Sequence, residues 1–359
     1  MSLRGVCTIA LTPFTDEGGV DFGGIDALAD HYLESGVDGL VVLGIMGEAH
    51  KLTDAERSAV AERYIAATGG ELPVIVGCSA PATRVAIERA REAEGFGAAA
   101  VMVAPPNNLK NLDLVFAHYG EVAGAVSVPV VVGCSAPATW VVTERAREAE
   151  QSGAAAVMVA PPNNVKNLDL VFGHYRRVAE GTSLPVVVQD EPVNTGVVMP
   201  AGFVAQLMNE VENCRYVKLE EAPTTIKISA LVGRIEDPNK RAGIFGGLGG
   251  MYFYEELARG ATGIMTGFAY QEILAKIYGL FEAGKRDGSR EYFFRYLPLI
   301  RFEAQLGVGG VGIRKEVYKM RRVIPSSHVR SPAPPLDTRT LHELEDLVGF
   351  LGLTEGEHR

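Results

Sequence analysis

The chain has 359 residues, with 34 Lys or Arg against 44 Asp or Glu, a formal net charge of −10, 47% hydrophobic residues and 22% charged ones. That length and apolar content suffice for a sizeable core and exclude a disordered chain. The acidic balance argues against non-specific nucleic-acid binding, which needs clustered Lys and Arg to neutralise phosphates. The basic positions that do gather, Arg314, Lys315, Lys319, Arg321 and Arg322, read as a solvated helix face. Four cysteines (Cys7, Cys78, Cys134, Cys214) without a CxxC spacing point to a reducing, cytoplasmic setting rather than a disulfide framework. No signal peptide is visible. The charge-free stretch 122–143 is long enough to span a bilayer, but Gly124, Pro129, Gly133 and Pro137 break it, so no membrane association is expected.

Taken in chain order, a short apolar strand at 6–11 precedes a helical pattern at 22–36, and a strand at 39–43 precedes a helix at 53–68. Residues 73–128 then recur as 129–184, with 42 of 56 positions identical. GCSAPAT starts at Gly77 and Gly133, ERAREAE at Glu88 and Glu144, and GAAAVMVAPPNN at Gly97 and Gly153. Each copy reads strand, helix, strand, helix, which makes two βα units. Further strands follow at 185–188, 215–218, 243–245 and 263–265, with helices at 200–211, 223–234, 250–259 and 270–285. Apolar strands alternating with helices predict a parallel sheet covered on both faces. One copy gives eight βα units, the number that closes a TIM barrel, and both give ten. The fold expected is an α/β TIM (β/α)8 barrel carrying a duplicated (βα)2 unit over 1–288, with a C-terminal helical appendix over 289–359. Side chains suited to eight strands would leave voids in ten, so the extra copy is expected to be extruded or exchanged between subunits. A ten-stranded barrel and partial disorder of one copy are the alternatives.

Specific motifs then point to a family. LTPF stands at 11–14, GGVD at 18–21, and SGVDGLVVLGIMGEAHKLTDAER at 35–57, followed by a strand ending at 185–196, YVKLE at 216–220 and GIMTGFA at 263–269. These resemble the dihydrodipicolinate synthase and N-acetylneuraminate lyase family of Schiff-base lyases, over nearly the whole chain once one repeat is set aside. The resemblance implies an active site at the carboxyl ends of the strands. It also implies a lysine, here Lys218, that condenses with a 2-oxo acid such as pyruvate, with no further cofactor. It implies too a homo-oligomer, a dimer or tetramer with segment exchange open to it.

The chemistry is sound apart from the resemblance. A strand-end lysine kept from water is more easily neutral, and its iminium is an electron sink for carbon–carbon or carbon–oxygen cleavage. The same lysine can also simply pair with Glu220 or Glu221. Around it the chain departs from the family pattern. The loop that usually reads GTTGE is Gly44-Ile45-Met46-Gly47-Glu48, so substrate carboxylate binding falls to backbone amides near Met46 and Gly47. The tyrosine that usually ends the fifth strand is Gln189, which exchanges no proton at neutral pH. Asp190 and Glu191 are the candidate proton shuttles. The arginine that usually follows is Asn194, and the tyrosine pair is Pro106-Asn107, repeated as Pro162-Asn163. Gly247 and Thr266 are candidate substrate contacts. With seven histidines but no HxH or HExxH pair, no metal site is expected, and His118 and His174 read as solvated. The swap of Arg84 for Trp140 between copies suggests a more apolar setting for one of them.

Without the tyrosine relay and the arginine, dihydrodipicolinate synthesis itself is disfavoured. The expectation is a lyase or aldolase acting on a 2-oxo acid. The alternatives are a sugar-acid dehydratase using the same lysine, or a non-catalytic ligand-binding barrel.

Overall fold

The computed structural model describes residues 5–44, 46–104, 118, 121–133, 139–151, 156–163, 165–237, 243–304, 310–333 and 336–353. Ten strands alternate with helices among these residues: β1 (Gly5–Ile9), β2 (Gly39–Val42), β3 (Val74–Gly77), β4 (Ala100–Val103), β5 (Val130–Gly133), β6 (Ala156–Val159), β7 (Val186–Asp190), β8 (Cys214–Leu219), β9 (Gly243–Gly246) and β10 (Gly263–Thr266). All were legible as short, mostly apolar runs. The chain forms two compact units, one built on Ile75–Gly247 with Glu255–Gly263, the other on Gly5–Val74, Leu248–Tyr254 and Ile264–Arg359.

In the first unit, β3 to β9 pair in parallel, each with the next in sequence. Both repeat copies therefore lie side by side in one sheet, which corrects the expectation that one copy would be extruded or exchanged. The registers show why insertion works. Ile75 faces Ala100 as Val131 faces Ala156, and the seam between copies pairs Val101 with Val130 as Val157 pairs with Val186. Each join repeats 56 residues on, so the added strands meet neighbours of the kind that they already fit.

Alternation sorts this sheet into two faces. Val76, Val101, Val103, Val157, Val159, Val186, Val188, Val217, Leu219 and Ile244 are all buried under the helical layer. From that layer Tyr175, on helix Leu168–Glu180, donates to the Val159 carbonyl at 3.0 Å. The opposite face carries Val187, Tyr216 and Phe245 packed with Met158. Ile75, Met102, Gln189 and Lys218 on that face are only half-buried. His118 and His174, expected in solvent, are buried instead, and their Nδ1 atoms lie 3.0 and 3.1 Å from Thr83 and Thr139 Oγ1, one bond made twice by the repeat. Burial lowers His174 to about 4, so it is neutral at physiological pH. The Arg84/Trp140 swap falls on an exposed position in both copies, Trp140 being 54% exposed, so it marks no apolar setting.

In the second unit β1 and β2 pair in parallel, Thr8 opposite Leu40. Helix Phe22–Glu34 starts on Asp21, whose carboxylate accepts the Gly24 N–H, and helix Asp54–Thr68 starts on a capping box made by Thr53 and Glu56. Helices Gln271–Glu282, Arg286–Ala304, Gly310–Met320 and Thr338–Phe350 belong to this same unit. Arg330 ties them in, donating to Glu56, to the Gly18 carbonyl and to the Lys51 carbonyl. The basic stretch corrects its sequence reading: Arg314 and Lys315 are buried, although Lys319 is exposed. No helix among the described residues is long and apolar enough to cross a membrane, and the charge-free stretch contains β5 and the start of helix Thr139–Gln151.

Candidate active site

Lys218 sits one residue before the end of β8, with Gln189 of β7 and Phe245 of β9 directly beside it in register. These three share the less covered face of the first unit. Glu220, two residues after Lys218, returns to that face, and its Oε1 lies 3.0 Å from Lys218 Nζ with both side chains 18% exposed. A lysine and a carboxyl group in contact, shielded but reachable, are the groups that amine nucleophilic chemistry with an acid/base partner requires. Gln189 Nε2 reaches Glu191 Oε2 at 3.3 Å, which carries the polar edge from Lys218 across to the Glu191 carboxyl group. Gly247 backs onto Glu220, and a Cβ there would stand 3.1 Å from Glu220 Cγ, so the glycine leaves the carboxylate its place.

Asp190 is differently placed. The strand pleat turns it to the helix-covered face, opposite Gln189 and Lys218, where it is fully buried. Its Oδ2 lies 2.6 Å from Lys227 Nζ on helix Thr224–Val232, and the same ammonium donates to Glu221. Burial raises Asp190 to about 6, a shift opposed by Lys227 and reinforced by Glu221 and Glu220. Lys227 thus clamps the ends of β7 and β8 from behind. Of the two shuttles proposed from sequence, Asp190 belongs to this clamp and Glu191 to the edge of the Lys218 face.

Behind β9, Glu256 is buried, accepts a hydrogen bond from Thr224 Oγ1 at 2.6 Å, and lies where any side chain at position 246 would collide with it, which explains Gly246. Burial pushes this carboxyl up to about 7 from an ordinary 4.5. The folded chain therefore holds the proton more tightly than the unfolded chain, and the group's contribution, full below pH 4.5, is lost as pH rises through 7. Glu256→Gln should raise the unfolding free energy at pH 8 by on the order of 3 kcal/mol and change it little at pH 4, as denaturant titrations would show. Equal shifts at the two pH values would contradict this account.

The remaining predicted contacts lie in the second unit. Ile45 is outside the described residues. Gly47 closes a tight turn, its N–H donating to the Gly44 carbonyl at 3.1 Å and its carbonyl accepting from Thr12 Oγ1 at 2.7 Å. The Gly47 amide is therefore already engaged, against the expectation that it awaits a carboxylate. Glu48 corrects its reading as a substrate contact: it is buried, with Oε1 2.7 Å from Lys315 Nζ and Oε2 2.8 Å from Lys51 Nζ. Met46 meets Arg314, whose Nη1 lies 2.6 Å from its Sδ. Thr266 ends β10 and is 8% exposed. Pro106 and Asn107 are outside the described residues, as is Cys134; Cys7, Cys78 and Cys214 form no disulfide with one another. Among the described residues no three His, Cys, Asp or Glu side chains gather as metal ligands.

Sequence reasoning passed over Glu220 and Lys227 as functional residues and Arg314 as a buried one. The signal for Glu220 was present, since residues i and i+2 on a strand share a face. The contacts of Lys227 with Asp190 and of Arg314 with Met46 gave none, because those partners are distant in sequence.

A model of the dihydrodipicolinate synthetase family matches residues 2–132 and again 107–350. The chain belongs to that family. Among similar proteins, an L-2-keto-3-deoxyarabonate dehydratase of Azospirillum brasilense is 27% identical over 95% of this chain and 92% of its own length. A 4-hydroxy-tetrahydrodipicolinate synthase of Oceanobacillus iheyensis is 25% identical over 97% of each chain. Among solved structures, the dihydrodipicolinate synthase of Rhodopseudomonas palustris is 32% identical over 97% of each chain with a TM-score of 0.65. A prophage protein of the family from E. coli K12, solved with pyruvate, shares the fold at 21% identity and a TM-score of 0.62. Parallel strands alternating with helices in the manner of a TIM barrel are the family's architecture, and the chain is an enzyme of its class, a lyase of the class I aldolase type.

Proposed function

We propose that this member of the dihydrodipicolinate synthetase family is an imine-forming lyase whose nucleophile is Lys218 and whose acid/base is Glu220. The observation that carries the reading is the 3.0 Å contact between these groups on one face of the sheet, with Gln189 in register beside the lysine. Lys218 adds to the ketone of a 2-oxo acid, Glu220 protonates the departing carbinolamine oxygen, and water leaves to give an iminium. Glu220, now a carboxylate, removes the C3 proton to give an enamine, and the same proton can return to a hydroxyl leaving from C4. One carboxyl group is then enough for a dehydration, where the family's synthases rely on a tyrosine relay. Likeness along nearly the full length to the Azospirillum dehydratase supports a 3-deoxy-2-oxo sugar acid as substrate. Aldol cleavage of a 2-oxo acid through the same iminium is the second reading, favoured by the shared first steps. Glu191 and Gly247 stay as proposed substrate contacts beside Lys218, Glu191 as a relay through Gln189. The reading extends to a cytoplasmic homo-oligomer with both duplicated units in one sheet and 289–359 as a C-terminal helical region.

The test is to incubate the protein with pyruvate, reduce with borohydride, and map any added mass. An adduct on Lys218 supports the proposal; none with pyruvate or with longer 2-oxo acids overturns it in favour of a binding protein. A panel of 3-deoxy-2-oxo sugar acids then separates dehydration from aldol cleavage by product. Glu220→Gln should form the trapped adduct more slowly, still on Lys218, and lower turnover by about 10²–10⁴-fold, the usual worth of a general acid/base. Turnover within a few-fold of the parent would remove Glu220 from the mechanism.

A further inference from the structure

Lys218 and Glu220 meet on one face of the first unit, yet little on that face holds Glu220 in place. β8 ends at Leu219, so Glu220 is already past the strand. Its Oε1 lies 3.0 Å from Lys218 Nζ, and its Oε2 is buried without a hydrogen-bond partner among the described residues. The position of the carboxyl group therefore comes from the backbone that carries it. The Glu220 N–H donates to the Asp190 carbonyl at 2.9 Å, which extends the β7–β8 ladder by one bond. The chain then passes directly into Glu221. Asp190 and Glu221 are the two residues that Lys227 holds, Asp190 by its Oδ2 at 2.6 Å and Glu221 by its Oε2. A single ammonium on a side chain 9% exposed thus fixes both the ladder partner and the chain neighbour of Glu220.

The helix that carries Lys227 is fastened as well. Thr224 and Lys227 stand three residues apart at the start of helix Thr224–Val232, on one face of it. Thr224 Oγ1 donates to Glu256 Oε1 at 2.6 Å, and Glu256 fills the space behind Gly246 at the end of β9. The start of one helix therefore reaches the ends of three consecutive strands. Buried charge is a costly way to hold strands together, since an apolar pair of similar volume often serves stability as well. What the ion triad adds is direction, because an ammonium between two carboxylates sets where both must lie. We propose that Lys227 is a positioning residue for the Lys218 site, holding Asp190 and Glu221 so that the Glu220 carboxyl group stays against the Lys218 amine. Its use in turnover rests on the imine-forming reading of Lys218; the positioning itself does not.

A zero-length cross-link reads the contact without any substrate. A carbodiimide activates a carboxyl group, an amine in contact displaces it to form an amide, and the carbodiimide leaves as a urea carrying the water lost. Mass mapping of the parent should find this amide between Lys218 and Glu220. In Lys227→Met its yield, taken well below the denaturation midpoint, should fall about 10-fold, a coupling usual within one charge network. Lys227→Arg, which can still hold two carboxylates, should restore most of it. An unchanged yield in Lys227→Met overturns the proposal, as does a parent that forms no Lys218–Glu220 amide. If Lys227→Met fails to fold because Asp190 is left unpaired, Lys227→Met with Asp190→Asn removes both charges and is read the same way. Trapping then tests the use in turnover. Borohydride capture of pyruvate should slow about 10-fold in Lys227→Met, yet Lys227→Met should slow Glu220→Gln no further, because both act on one group. Losses that simply add would mark Lys227 as structural only and overturn the proposal. Should the parent trap no 2-oxo acid, the lysine reading fails, and the cross-link yields decide Lys227 alone.

Discussion

Lys218→Ala is expected to lose the borohydride-trapped adduct entirely and to reduce turnover to background. Among the described residues of the first unit, no other amine is placed to take over. Lys227 is the next lysine along the chain, but it faces the opposite side of the sheet, is 9% exposed, and is held between Asp190 and Glu221. Lys218→Arg should be as inactive as the alanine variant, because a guanidinium stays protonated and cannot form the imine. Both variants keep the apolar neighbours of β8, so their denaturation midpoints should stay close to the parent's. An adduct that migrates to Lys227 in Lys218→Ala, or turnover that survives, would show that the nucleophile has been misassigned.

Lys315→Met is expected to cost about 3 kcal/mol of stability while leaving Lys218 chemistry in place at permissive temperature. Lys315 is fully buried, donates to Glu48 at 2.7 Å and to the His328 carbonyl at 2.9 Å, and stands 4.0 Å over the Phe14 ring. Removing it leaves Glu48 buried with only Lys51, hence a cost at the lower end of that seen for broken buried pairs. Adding Glu48→Gln should restore much of the loss, since the uncompensated charge is then gone. The group also predicts a pH trend. Burial lowers Lys315 to about 8 from 10.5, so between these values the unfolded chain binds more protons and the group's contribution grows as pH rises. Denaturant titrations of parent and variant at pH 7.5 and 9.5 measure it; the parent should gain on the variant at the higher pH, and a constant gap would refute the assignment.

Much of this was readable from residues alone, and the failures have physical causes. Valine-rich runs announced the strands, and the family motifs placed Lys218. Asp190 was misjudged because proximity in sequence was weighed ahead of the pleat, which sends residues 189 and 190 to opposite faces. Glu220 was noticed only as a place for the lysine's charge to rest, although its i+2 spacing already put it on the lysine's face. Arg314 and Lys315 looked solvated because a short basic stretch on a helix usually is. The partners that bury them, Met46 and Glu48, lie 268 and 267 residues away and leave no local trace. The two histidines looked exposed for the same reason: the threonines that meet them are 35 residues back. The extra strands were expected outside the sheet because a fixed core tolerates no added width. That argument overlooked how closely the repeat copies its own borders.

Those borders bear on the chain's history. Since 42 of 56 positions agree between the copies and the strand pairings recur at the same interval, unequal exchange between the two segments would delete one in a single event. The 303-residue product would join β4 to β7 through the residue types that now join β6 to β7, with no new junction to select for. Lengthening by the reverse event would be equally seamless. In this chain, then, strand number can change by two at a time without a new strand junction having to form.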